Sequence, residues 1–496
     1  MLVPSMVDLF FVAVLCWAFA LGTYGWHGLL MDGDVGTHIR IGDYIVANHA
    51  VPTHDMLSYS KPGEEWYAFE WLTEVLFSLL HGFAGLKGVV LFSGVVITAA
   101  YAVLLMHALW RGSNFVVAMA LVLMAVNGSS IHFHARPHIF TLLFVTIALW
   151  MIAADRRQNS RTIWVLVPLS VVWTNLHGGF LILFALLGLL VIGCALESLI
   201  WGATASRGKS DVIRYTLLGA ACAAASLINP YGIKLHQFLG SYLGSDAIRN
   251  GVQEFQSPSF RGESMIDFMI LLFLGVAITA SLLKKQRLTE VLWLWFLAYN
   301  ALVSVRHAPL FMIAAVPILA VEITGWWTAW VATQSKHSLA RTVDAITSQF
   351  QCRVAQVSIW SPLVIVALAM SQSSNWPKDF LNEGFPVKIV QAHGDEIAAG
   401  RIYTSDKWAG YLIYKNYPRQ KVFFDDRHHY FGDAIIKDYL KLASGGREWR
   451  QLLPRYNFNL VLCEAASPLA SLLRLQSTWQ TVEDDGKIAL FRLIQQ

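Results

Sequence analysis

The chain has 496 residues, 55% of them hydrophobic and 14% charged, with a net charge of +4. Soluble domains carry about 25% charged residues, so the composition excludes a single soluble domain, a disordered chain and a disulfide-stapled secreted scaffold. No Lys/Arg block of the kind that tracks nucleic acid is present, and the five cysteines form no C-x-x-C pair.

The charge is uneven. Residues 376–496 hold 16 Lys+Arg and 14 Asp+Glu, whereas residues 1–375 hold 21 and 19. The tail therefore has the soluble norm, and the body about 11%. A bilayer-crossing helix needs about 20 mostly apolar residues. Eleven segments are read as candidates, roughly 8–31, 87–110, 114–131, 138–154, 162–175, 178–201, 214–228, 264–283, 288–304, 308–331 and 357–373. The first is read as a retained span rather than a cleaved leader. The segment 69–84 carries Glu74 and His81 and is read as an amphipathic helix at the membrane surface, the alternative being a further span that would invert the orientation of everything after it. In the tail, Arg401–Thr404, Lys421–Asp425 and Asn459–Cys463 read as strands, and 410–416, 447–455 and 467–475 as helices. A hairpin turns at Asp485-Gly486. No nucleotide-binding glycine motif occurs.

The expected fold is an α-helical polytopic membrane protein of about eleven spans over 1–375, with a large first loop over 32–86. A soluble α/β domain over 376–496 completes it. With the N-terminus in the cytoplasm, 13 of the body's 21 basic residues fall in inner loops. These are Arg111; Arg156, Arg157 and Arg161; Arg207, Lys209 and Arg214; Lys284, Lys285 and Arg287; and Lys336, Arg341 and Arg353. They read as solvated clusters. The expected location is an inner (plasma) membrane with the tail outside the cytoplasm.

On that orientation the polar groups gather on the outer face, where ionisable residues at membrane depth mark function. Eight of the body's 19 acids lie between Asp32 and Glu74, accompanied only by Arg40 and Lys61. Asp32 and Asp34 follow the first span, and Asp34 and His38 are spaced to share a helix face. Either carboxylate suits a general base for an acceptor hydroxyl, or a ligand to a divalent cation such as Mg or Mn; Asp32 also suits a helix cap. Gly33 and Gly36 leave room for a substrate beside the backbone. Arg40, His54, Asp55 and Glu70 are further substrate-contact candidates, though His54-Asp55 stands among turn formers. The run His132, His134, Arg136, Pro137, His138 suits an anion at a helix start. Asn175 and His177, in N-L-H-G-G, break two apolar runs and fit a cavity wall. Arg306-His307 lies between two apolar helices and suits a lipid phosphate. In the tail, Asp425-Asp426-Arg427-His428-His429 ends a strand and reads equally as a ligand site or a solvated turn.

These features resemble the GT-C superfamily of integral-membrane glycosyltransferases, which includes protein O-mannosyltransferases, lipid A aminoarabinose transferases and oligosaccharyltransferase catalytic subunits. The resemblance covers the whole architecture and is specific at Asp32–Asp34, with Glu70-Trp-Leu72 and N-L-H-G-G beside it. It implies inverting transfer of a sugar from a polyprenyl-phosphate-linked donor in the bilayer to a hydroxyl on a glycan, lipid or protein acceptor. Asp34 or Asp32 would be the base. The tail lacks the W-W-D-Y-G motif of oligosaccharyltransferases, which speaks against Asn-sequon glycosylation. A transporter of lipid-linked saccharides would want polar residues through the membrane thickness or inverted repeats. A silent scaffold would want the first loop packed without a cavity. The shared-site reading expects Asp34, Arg136, His177 and Arg306 to meet in one pocket.

Overall fold

The computed structural model describes residues 3–202, 208–335, 337–354 and 358–494; Arg207 and Lys336 lie outside them. Helix α1 (Met6–Leu15) opens on a capping box in which Ser5 Oγ accepts from Asp8 N–H and Asp8 accepts from Ser5 N–H. The apolar run expected to continue to residue 31 does not stay helical. It widens into a π-turn at Cys16–Ala20 and resumes as a 3-10 turn at Gly25–Leu30, with Gly25 at φ 51°. Helix α2 (Asp34–Asn48) carries the first acidic motif, and α3 (Trp71–Trp110) packs along it. The α3 backbone breaks at Ala84 and Gly85, the latter at φ 62° and ψ −155°. That break falls where the sequence separates 69–84 from the span after it.

The bundle continues with α4 (Phe115–Ser129), α5 (His138–Gln158), α6 (Leu166–Leu176), α7 (Leu181–Trp201) and α8 (Lys209–Ala225). Two connecting helices, α9 (Ile233–Gly244) and α10 (Asp246–Gly251), lead to α11 (Glu263–Lys284), α12 (Leu288–Val303) and α13 (Ala308–Ala332). Every residue of α13 from Ala308 to Ala320 is buried. Such a helix, apolar all round, belongs at the centre of a bundle, and α3, α4, α5, α11 and α12 all pack on it. α14 (Leu339–Val354) and α15 (Trp360–Met370) follow; Ser358 and Ser361 donate to Asp8 at 2.5 and 2.6 Å and tie this region to α1.

Among the described residues six helices are long and apolar enough to cross a membrane, not eleven, with three shorter apolar helices at Met6–Ala20, Leu288–Val303 and Trp360–Met370. The 162–175 candidate shortens because a 3-10 turn over Arg161–Val165 precedes α6 and extended backbone at His177 ends it. The basic clusters are not simply solvated. Arg111 meets Glu290 at 2.8 Å, Arg156 meets Glu197 at 2.6 Å and Arg287 meets Glu322 at 3.0 Å. Glu197 and Glu322 are fully buried, and a buried carboxylate needs a counterion.

The C-terminal part holds α16 (Val387–Ala399), β1 (Ile402–Tyr403), α17 (Asp406–Asn416), α18 (His428–Ala443), α19 (Trp449–Arg455), β2 (Leu460–Glu464), α20 (Pro468–Arg474), β3 (Trp479–Asp484) and β4 (Ile488–Leu493). The sheet order is β1-β2-β4-β3, with β1/β2 parallel and both other pairs antiparallel. The expected strand at Lys421–Asp425 is not one. Val422 instead exchanges backbone hydrogen bonds with the first loop, donating to Leu57 O and accepting from Tyr59 N–H, each at 3.0 Å. Loop residues Leu57 and Trp66 share one core with Phe423, Phe424 and Phe458.

α17 also lies against α2. A Cβ on Gly33 would stand 1.8 Å from the Lys407 carbonyl oxygen, and one on Gly36 2.6 Å from Tyr414 Cβ. The expectation that these glycines admit a substrate is therefore corrected: they admit the backbone of α17.

Candidate functional site

α2 begins at Asp34, whose N–H donates to Asp32 Oδ1 at 3.1 Å. One turn later His38, 5% exposed, sets Nε2 3.5 Å from Asp34 Oδ2. Packing of α3 against α2 adds Glu74 Oε1 at 3.4 Å from His38 Nδ1 and Glu70 Oε2 at 3.8 Å from Nε2. One imidazole thus faces three carboxylates. Arg136, on the turn before α5, closes the cluster with Asp32 at 2.8 Å, Asp34 at 3.1 Å and Glu254 at 2.6 Å.

The electrostatics sort these groups. Burial raises the Asp34 carboxyl, but His38 and Arg136 outweigh it and hold Asp34 below the ordinary carboxylate range. Burial works against a charged His38, yet Asp34 and the surrounding hydrogen bonds push its imidazole well above the usual value. Burial lifts Glu70 to about 8, with His38 opposing and Asp34 and Glu74 adding. At neutral pH the cluster is an ionised Asp34, a charged His38 and a protonated Glu70.

A second wall comes from the break between α6 and α7. His177 Nδ1 accepts from Gly179 N–H at 3.0 Å and lies 2.7 Å from Thr141 Oγ1. That leaves the ring proton on Nε2, 3.6 Å from Glu70 Oε1. Burial, with Arg306 and Arg136 adding, lowers His177 to about 3, so the ring is neutral. Beyond it, Arg306 donates to the Tyr242 hydroxyl at 3.3 Å and stacks 4.6 Å over the Phe255 ring. Among the described residues it makes no ion pair. A cation held this way, with only a phenol and a ring as partners, is suited to an incoming anion. Asp34, Arg136, His177 and Arg306 all line one cavity of about 340 Å³.

No protein-family model and no curated protein sequence matches this chain. Solved structures do. The archaeal oligosaccharyltransferase AglB from Archaeoglobus fulgidus, in complex with an inhibitory peptide and a dolichol-phosphate, superposes with a TM-score of 0.55 at 11% identity, over 92% of this chain and 69% of that one. The apo form of the Archaeoglobus fulgidus oligosaccharyltransferase gives 0.55 at 10% identity over the same shares. Its complex with a tethered acceptor peptide containing the NVT sequon gives 0.54 at 12%, over 92% and 68%. The chain has a GT-C-type membrane fold. It is a polytopic helical membrane protein with a C-terminal soluble domain.

Within this fold the sequence candidates divide. Asp34, His38, Glu70, His132, Arg136, His138, His177, Arg306 and His307 line the cavity. Asp32 stands behind it, engaged by Arg136 and the Asp34 N–H. His134 is not in the wall. Arg40 turns away to Asp43 and the Tyr414 carbonyl, and the ring of exposed His54 bonds to its neighbour Thr53. Asp55 is a structural lock: it accepts from Ser58 and pairs with Arg427 at 2.7 Å. Asn175 is consumed by Trp71 Nε1 and by two backbone carbonyls.

The tail supplies Asp426, Arg427 and His429 to the same cavity. Arg427 is held by Asp425 and Asp55, whereas Asp426 Oδ2 has no hydrogen-bond partner among the described residues. Burial and the nearby Asp34 and Asp32 push Asp426 well above the carboxylate range. Glu254 and Tyr242 escaped the sequence reading because they stand in a polar connector without a motif. For a divalent cation, Asp32 and Asp34 already share a guanidinium. Among the described residues, the group whose ligand atoms gather within 4.8 Å is Asp406, Asp426 and His428, an oxygen and imidazole set that fits such an ion.

Proposed function

We propose that this chain is a membrane glycosyltransferase that moves a sugar from a polyprenyl-phosphate-linked donor to a hydroxyl acceptor, on the extracytoplasmic face, with inversion at the sugar. The observation that carries the reading is the placing of a carboxylate and an unpaired guanidinium, Asp34 and Arg306, in one cavity wall. The GT-C-type fold supports it, as does the dolichol-phosphate named with the archaeal oligosaccharyltransferase.

In the proposed reaction the acceptor oxygen attacks the anomeric carbon as the carbon–oxygen bond to phosphate breaks. The hydroxyl proton passes to Asp34, and the polyprenyl phosphate leaves as an anion beside Arg306. Asp34 is preferred to Asp32 because it faces the cavity while Asp32 does not. It is preferred to Glu70 because Glu70, lifted to about 8, enters already protonated. His38 and Arg136 hold Asp34 ionised and aimed. A divalent cation on Asp406, Asp426 and His428 would add positive charge beside the acidic wall.

The test is transfer from labelled polyprenyl-phosphate sugars by the purified full chain. Transfer is expected, and Arg306→Gln should raise the donor KM by about 10- to 100-fold, the value of one charge-assisted phosphate contact. Absence of transfer from every such donor, or an unchanged KM in that variant, would contradict the reading.

A further inference from the structure

A second cavity, of about 390 Å³, lies elsewhere in the bundle. His138 lines the first cavity and Arg156 the second; both sit on α5, about 27 Å apart along its axis. The walls themselves come within about one helical turn of each other, at Leu310 and Ala314 of α13, so it is the charged ends of the two cavities, His138 and Arg156, that lie about a hydrocarbon-core thickness apart.

The second cavity has a basic wall in which Glu290 pairs with both Arg111 and Arg287. Arg111, Arg156, Arg157 and Arg287 line it against a single carboxylate, Glu290. Glu197 and Glu322 pair with Arg156 and Arg287 from behind the wall, and positive charge still prevails. Arg157 is exposed at the rim and rests 5.4 Å over the Trp110 ring, with no ion pair among the described residues. Independently, His107 stands in the wall at 2% exposure, and neither ring nitrogen has a hydrogen-bond partner among the described residues. Leaving such a group unsatisfied costs free energy, and a polar ligand in the cavity would relieve it. Trp110 and Trp293 complete walls that are apolar beside the charges.

We propose that this cavity binds a phosphate oxyanion, with the headgroup of an anionic phospholipid as its source in the membrane. Basic pockets between transmembrane helices recognise such headgroups by charge, each Arg or Lys near the surface adding comparable affinity. The site is separate from the proposed transfer chemistry and stands or falls without it.

The test is thermal stabilisation of the purified full chain in a zwitterionic detergent by short-chain phosphatidylglycerol, short-chain phosphatidylcholine and inorganic pyrophosphate. Phosphatidylglycerol should raise Tm saturably and phosphatidylcholine should not. Arg157→Gln should raise the half-saturating concentration about fivefold, Arg157→Lys should restore it and the distant Arg261→Gln should leave it unchanged. Stabilisation by phosphatidylglycerol alone assigns the oxyanion to a lipid, and equal stabilisation by pyrophosphate assigns the same site to a soluble phosphate. No saturable rise with either anion, or equal losses in Arg157→Gln and Arg261→Gln, would overturn the proposal.

Discussion

The guanidinium of Arg136 meets the carboxylate of Asp34 at 3.1 Å while also holding Asp32 and Glu254. One cation thereby joins the first loop, the start of α5 and the connector before α11. Arg136→Gln should lower the unfolding free energy by about 1–3 kcal/mol, less than a fully buried pair because Arg136 keeps partial exposure. Arg136→Lys should recover little, since an ammonium cannot fork across three acids. Melting of the two variants in detergent checks both outcomes.

Glu70 gives a pH signature. Its folded value of about 8 lies above its unfolded value near 4.5. The folded state holds the proton more tightly, so this stabilisation is complete below pH 4.5 and is lost as pH rises through 8. Between those limits Glu70→Gln should flatten the alkaline fall in Tm, and at pH 8.5 it should melt above the wild type. A parallel alkaline fall in both proteins would show that Glu70 is already ionised.

Much of this site was legible because polar residues are scarce in an apolar body. Asp34, Arg136, His177 and Arg306 stood out against their surroundings, and they do line one cavity. Their partners did not stand out. Asp55 and Arg427 are far apart in the chain, and nothing local separates a ligand contact from an inter-segment lock. Gly33 and Gly36 announced a close approach but not what approaches, which is α17 rather than a substrate. The helix count failed where short irregular turns interrupt apolar runs, at Cys16–Ala20 and at Arg161–Val165, because hydropathy does not register backbone geometry.

The α2–α17 contact makes a steric prediction. A Cβ on Gly410 would stand 2.4 Å from the Gly33 carbonyl oxygen, a backbone atom without freedom to move aside. Gly410→Ala should cost about 1–3 kcal/mol, as overpacking does. Limited proteolysis should then cleave the C-terminal part faster than in the wild type.

The Asp55–Arg427–Asp425 group is a buried charge set, with both carboxylates at 0% side-chain exposure. Asp55→Asn leaves Arg427 with one partner and should cost about 3 kcal/mol, near the lower bound for breaking a buried pair. A fall in Tm with retained helical circular dichroism is the expected reading, since the lock holds loop to tail rather than helix to helix.

The most direct measurement of the central claim is the initial rate of transfer from a labelled polyprenyl-phosphate sugar by Asp34→Asn and Asp32→Asn, each verified as folded by gel filtration. Loss of the general base should cut the Asp34→Asn rate by about 10²–10⁴, while Asp32→Asn, which weakens the support of Arg136 and of the Asp34 N–H but removes no group from the cavity wall, keeps most of its activity. Full activity in Asp34→Asn and in the double variant would contradict the account.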